Sequence, residues 1–147
     1  MPVQTFTTLN EPSATTLTLA DTTGMATPAR VDAVLAETGV AVGLHLHETR
    51  GTGLVNAYAG IQAGVTRFDT SIGGLGGSPF AAGAAGNLAT EDLVYLLDDL
   101  GIDTGIDLGR LFVASRLVAD AVGHPVPSRV AAAGPRLGVS AGSRVER

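Results

Sequence analysis

Two histidines, His45 and His47, stand one residue apart where the apolar run Val40–Leu46 ends. Side chains alternate faces along a strand, so this spacing turns both imidazoles to the same side. A same-side imidazole pair can hold one metal ion. Further along come Asp69, Thr70 and Ser71, then a glycine-rich loop with Gly73, Gly74, Gly76 and Gly77 that runs through Ser78 to Gly86. Asn87, Glu91 and Asp92 follow at once. Glycine lets backbone N–H groups come close to an anion, so Gly73-Gly74-Leu75-Gly76-Gly77 can cradle a phosphate or carboxylate, with Gly76 and Gly77 the candidate substrate-binding positions. Two imidazoles and an amide oxygen from Asn87 suit a borderline or hard divalent ion, with Mg2+, Mn2+ and Zn2+ all open. The competing reading is that His45 and His47 are interior residues hydrogen-bonded to their neighbours. Glu91 and Asp92 fall in the first turn of a helix, where carboxylates complement the dipole. Asp98 and Asp99 read as a solvated helix surface.

These groups meet only if the chain places them at one end of a sheet. Thr15–Ala20 alternates and is β-branched, which predicts a strand ending at the polar turn Asp21-Thr22-Thr23-Gly24. Thr27-Pro28 predicts a helix start, with Val31, Val34 and Leu35 on its apolar face. Val40–Leu46 predicts a second strand, apolar on both faces. Leu54, Ala57, Tyr58 and Ile61 predict a helix by their i, i+3, i+4, i+7 spacing. Val65–Ile72 predicts a third strand. Thr90 then caps a helix with Leu93, Leu96, Leu97 and Leu100 on one face, and Asp107 caps another with Leu111, Phe112, Ser115, Val118 and Val122. This alternation predicts an α/β fold of repeated βαβ units around a parallel sheet. Functional groups in such folds gather at the carboxyl ends of strands, which here carry Asp21, His45, His47 and Asp69. Three strands leave two sheet edges exposed.

The chain has 147 residues, enough for one domain with a real core and well below the roughly 250 of a complete (β/α)8 barrel. Hydrophobic residues are 45% and charged residues 16%, a globular composition. A net charge of −5 argues against a nucleic-acid partner. All nine basic residues are Arg, so lysine Schiff-base chemistry is excluded, and the absence of cysteine excludes disulfides, thiolate zinc sites and thiol nucleophiles. No apolar run is long enough to span a bilayer, and Met1-Pro2-Val3-Gln4-Thr5 has no signal-peptide pattern; the expected location is cytoplasmic. Residues 1–14 read as an irregular leader, 15–122 as the folded portion, and 123–147 as a loosely ordered tail.

From about Leu17 to Arg129 the sequence resembles the C-terminal part of the 3-hydroxy-3-methylglutaryl-CoA lyase family, whose members are metal-dependent TIM barrels. The resemblance rests on several motifs in order. They are Ala20-Asp21-Thr22-Thr23-Gly24 with Thr27-Pro28, His45-Leu46-His47-Glu48-Thr49, Phe68-Asp69-Thr70-Ser71, the loop Gly73 to Phe80, and Gly86-Asn87-Leu88-Ala89-Thr90-Glu91-Asp92. It implies a partial (β/α)8 barrel made of the last three strands and their helices. It implies that His45, His47 and Asn87 hold Mg2+ or Mn2+, and that Asp21 occupies the acidic active-site position after the sixth strand. It further implies cleavage of hydroxymethylglutaryl-CoA, an acyl-CoA substrate, to acetyl-CoA and acetoacetate. The family's loop presents a Cys where this chain has Ser78, a far weaker acid. Glu48 stands at a more usual Asp and Arg50 at a more usual Tyr. The first half of the barrel, with an Asp ligand, a catalytic Arg and a Glu, lies outside this chain; a complementary half or a homo-oligomer is the implied partner. Two other readings accompany this one: a non-catalytic binding or assembly module, and a related aldolase or acyl-CoA enzyme of the same barrel group.

Overall fold

A computed structural model describes residues 16–77, 83 and 85–136. Three short parallel strands form the sheet: β1 (Thr18–Ala20), β2 (Gly43–His45) and β3 (Arg67–Asp69). Helix α1 (Pro28–Thr38) connects β1 to β2, and α2 (Gly53–Ala63) connects β2 to β3. A 3-10 turn at Ile72–Gly74 follows, then α3 (Thr90–Asp99), α4 (Leu108–Val122) and α5 (Arg129–Ala133). The strand order is β1-β2-β3, with no reversal. Sequential parallel strands joined by helices are the winding of a (β/α)8 barrel wall, whereas a doubly wound sheet reverses at a switch point. The sheet is an open segment of such a wall.

Alternation along β2 and its flanks separates two functions. Val42, Leu44 and Leu46 are buried and join Val31 and Leu35 of α1, Ala57 of α2, and Val65, Leu88, Leu93 and Leu97 in one core. Gly43, His45 and His47 alternate with them and so line the opposite, barrel-interior face. The second strand is therefore apolar on its helix-facing side, not on both. Truncating Leu44 to Ala would cost about 2–5 kcal/mol from this core.

The sequence-predicted strands are longer than the observed ladders, because regular pairing extends only from Thr18↔Gly43 to Ala20↔His45 and from Gly43↔Arg67 to His45↔Asp69. On α2, Ala57 is buried and Leu54 and Ile61 pack against the core as expected, and the inward face also takes in residues that apolar spacing passes over. Gly53, Asn56, Ala57 and Gly60 face inward, while Tyr58 is exposed. Asn56 is tolerated inside because its Nδ2 donates to the Ala26 carbonyl at 3.0 Å. Gly60 is required because a Cβ there would lie 2.6 Å from Leu44 Cδ1. Asp107 caps α4 as expected, accepting from Arg110 N–H. Val122, expected on that helix's apolar side, is exposed. Thr90 does not cap α3: it is the helix's first residue, and its hydroxyl pairs with Thr70 Oγ1 at 2.8 Å.

Residues 123–136, which composition reads as loose, are mostly exposed but are anchored at Ser128. Ser128 is 1% exposed, its hydroxyl donates to Asp92 at 2.6 Å, and its N–H donates to the Gly73 carbonyl at 2.8 Å. The polar composition is what these contacts use: a buried carboxylate needs donors, and Ser128 and the first turn of α5 supply them. Residues 1–14 and 137–147 lie outside the described residues. Among the described residues, no helix is long and apolar enough to cross a membrane.

Candidate functional site

The carboxyl ends of the strands bring the expected groups to one edge of the sheet. His45 closes β2, Asp21 follows β1, and the Asp21 N–H donates to the His45 carbonyl at 2.8 Å. His47 and Asn87 form an isolated antiparallel bridge. Residues directly opposite in such a bridge send their side chains to the same side. The two imidazoles and the Asn87 amide therefore share one face.

The Nε2 atoms of His45 and His47 are 3.0 Å apart. Two ligands that each sit about 2.1 Å from one ion, at right angles, are separated by about 3.0 Å. The pair thus has the spacing of two adjacent ligands on one cation. Nδ1 of His45 is bound by the Asp69 carboxylate. His47 is 3% exposed, and among the described residues its buried Nδ1 has no partner in good hydrogen-bond geometry. Burial pushes the His47 pKa below the usual imidazole value, and the His45 ring adds to this; Asp21 and the Ala85 backbone oppose it. A neutral imidazole at ordinary pH is the form that ligates metal.

The Asn87 amide is oriented by the glycine loop. Its Nδ2 donates to the Leu75 carbonyl at 3.0 Å, and that carbonyl also accepts from Ser71 Oγ at 2.6 Å. The donor end of the amide is thereby committed, which leaves Oδ1 as the atom that could act as a ligand. Gly76 has no side chain to obstruct it: a Cβ there would lie 2.7 Å from Asn87 Nδ2.

Asp21 is held in place by two backbone donors, Met25 N–H at 2.9 Å and Ala26 N–H at 3.1 Å. Glu48 turns away from the histidines, and its Oε1 caps α2 by accepting from Leu54 N–H at 2.6 Å. Burial raises the Glu48 pKa, while the Leu54 donor and Arg129 lower it. Gly76 and Gly77 are exposed. Ser78 lies outside the described residues. Among the described residues, no three His, Cys, Asp or Glu side chains converge to hold a metal ion. The donor set of two imidazoles and one amide fits a divalent cation but is neutral, short of the charged ligand that hard ions favour.

Three functional groups are not assigned by sequence spacing. Asp69 stands at a strand end, yet its pairing with His45 depends on strand register. Glu91 and Asp92 lie in the first turn of α3 as expected and are in addition buried hydrogen-bond acceptors. Glu91 takes the Gly73 N–H and the Ser115 hydroxyl, and Asp92 takes Ser128 and Val130 N–H. Their adjacency just after a glycine loop is the signal a sequence offers, without naming the donors.

Comparison with known proteins adds an independent line. The family model described as HMGL-like matches residues 3–118. The (R)-citramalyl-CoA lyase of Chloroflexus aurantiacus is 51% identical over 123 residues, which cover 80% of this chain and 38% of that protein. A hydroxymethylglutaryl-CoA lyase of Bacillus subtilis is 46% identical over 119 residues, covering 77% of this chain and 40% of that protein. Among solved structures, an HMG-CoA lyase from Acinetobacter baumannii in complex with coenzyme A and 3-methylmalate superposes with a TM-score of 0.75 at 47% identity. That match covers 84% of this chain and 42% of the other. The chain spans about two fifths of the length of the relatives it matches.

Proposed function

The chain belongs to the HMGL-like family, and from that premise we propose that it carries the metal-holding part of a carbon–carbon lyase acting on 3-hydroxy-3-methyl acyl-CoA thioesters. The observation that carries the reading is the 3.0 Å approach of the His45 and His47 Nε2 atoms, on one face with Asn87. His45, His47 and Asn87 would hold Mg2+ or Mn2+. When bound, such an ion supplies Lewis-acid polarisation of a substrate hydroxyl and carboxylate oxygen.

The chain's own residues set the rest. In the reaction proposed, the tertiary hydroxyl of hydroxymethylglutaryl-CoA loses its proton to a base and the adjacent C–C bond breaks. The electron pair moves into the thioester enolate, which takes a proton to become acetyl-CoA, and the carbinol carbon becomes the ketone of acetoacetate. Asp21, locked by two amides, is the acidic group we assign beside the histidines. The exposed N–H groups of Gly76 and Gly77 suit an anionic oxygen of the substrate. Serine is too weak an acid to replace a thiol as proton donor, so Ser78 is assigned no more than contact with substrate. The working unit runs from residue 15 through α5, in the cytoplasm, and is completed by the barrel half that the relatives also contain.

The 51% identity to a citramalyl-CoA lyase supports a second substrate. Citramalyl-CoA has the same tertiary hydroxyl and thioester but one methylene fewer before its free carboxylate. The test is to pair the chain with the N-terminal half of the Bacillus subtilis relative and assay both thioesters with Mn2+. Acetyl-CoA release from either one, lost on Asn87→Ala, is expected. Absence of release from both, with no Mn2+ uptake by the chain, would remove the reading and favour a non-catalytic assembly module.

A further inference from the structure

We propose that Asp69 is a positioning residue whose carboxylate sets the tautomer and ring angle of His45, so that Nε2 is the atom presented to the site. The inference rests on the metal-holding reading above for the identity of the ligand, while the orientation itself can be observed without metal. His45 and Asp69 are register partners at the ends of β2 and β3. Neighbouring strands lie about 4.8 Å apart, and partners in register share a face, so a side chain as short as Asp spans the gap to Nδ1. The pair is joined there.

An ionised carboxylate only accepts hydrogen bonds, so the proton between the two belongs to His45 Nδ1. In the neutral ring the lone pair is then on Nε2, the atom 3.0 Å from His47 Nε2. The two rings are fixed by different means. His47 is 3% exposed and held by packing, whereas the His45 side chain is 27% exposed and depends on a partner for its orientation. Carboxylates that orient ligating imidazoles tune metal affinity by about 10–100-fold. An ion pair with Asp69 at 59% exposure adds little to stability. A positioning role and a structural role therefore predict different outcomes.

The test compares the chain with Asp69→Ala and Asp69→Asn, using 15N NMR of the histidine rings without metal, Mn2+ titration followed by EPR, and thermal unfolding. The expected wild-type tautomer of His45 carries its proton on Nδ1. Asp69→Ala is expected to mix in the Nε2–H tautomer and weaken Mn2+ binding about 10–100-fold, with unfolding unchanged. Asp69→Asn keeps an oxygen acceptor and is expected to retain the tautomer with a smaller loss. An unchanged tautomer in Asp69→Ala overturns the proposal, as does a loss of Mn2+ binding that simply tracks a loss of thermal stability. If the wild-type chain takes up no Mn2+ but its tautomer still depends on Asp69, the metal reading fails and the positioning role stands.

Discussion

The carboxylate of Glu91, 0% exposed, receives the N–H of Gly73 between its two oxygens, at 3.0 and 2.9 Å. Ser115 of α4 donates its hydroxyl to the same group. One buried side chain thus ties the start of α3 to α4 and to the turn that begins the glycine loop. Glu91→Ala would strip the buried Gly73 N–H of its acceptor, at about 1–3 kcal/mol, whereas the Ser115 hydroxyl keeps the Leu111 carbonyl at 2.9 Å. We expect Glu91→Ala to destabilise by about 1–3 kcal/mol and Ser115→Ala by less, with a sum clearly different from the double mutant. Urea unfolding of the four species checks this, and additivity would show that the network is not coupled.

Two glycines of the loop give separable effects. A Cβ at Gly86 would lie 1.9 Å from the Gly74 carbonyl oxygen, a backbone atom that cannot swing aside. Gly86→Ala should cost about 3 kcal/mol, the upper range for overpacking. Gly76 has φ +117 and borders the Asn87 amide. Gly76→Ala should cost about 1–2 kcal/mol in backbone strain and displace Asn87, lowering Mn2+ affinity by more than its stability loss suggests. Thermal melts with and without Mn2+ separate the two.

Mn2+ at 100 times its dissociation constant should stabilise the folded chain by about 2.7 kcal/mol. His45→Ala with His47→Ala should abolish this shift while leaving the metal-free melt nearly intact for His45, which is partly exposed. Calorimetry of the variants decides. An equal Mn2+ shift in the double variant would mean that the histidines are merely packed.

The depressed pKa of His47 makes a pH prediction with a definite sign. The unfolded ring takes up a proton near pH 6.5, but the folded ring does so only at lower pH. Between those values the unfolded state binds more protons, so stability falls as pH drops below about 6.5. Glu48, with its pKa raised from 4.5, acts in the opposite sense: its share is full below 4.5 and is lost as pH rises through the higher pKa of the folded group. Melting temperature measured from pH 7.5 to 5.5 should decline in the wild type and flatten in His47→Asn. A profile unchanged by the substitution would show that another group is responsible.

Helix faces show where periodicity reads the fold well and where it does not. For α1, Val31 and Leu35 are both expected and buried. For α2, apolar spacing counts Tyr58, which is exposed, and passes over Asn56, which is fully buried. Hydropathy treats an amide as outward-facing, but the Ala26 carbonyl satisfies this one inside. The stretch after Val122 misleads for the same reason. Ser128 and the N–H groups of α5 look solvent-bound until Asp92, 36 residues away from Ser128, is seen to accept from them.

The sequence by itself determined the alternation of strands and helices, the common side of His45 and His47, and the motifs that carry the family likeness. Each is local: a side chain's face follows from the period of its own element. Only the tertiary structure decided that Asp69 meets His45, that Leu75 turns the Asn87 amide, and that Glu91 and Asp92, besides lying in the first turn of α3, are buried acceptors. Those outcomes depend on strand register and on hydrogen-bond partners 12 to 38 residues distant. A period encodes which way a residue points. Which group it finds there is fixed by the packing of separate elements.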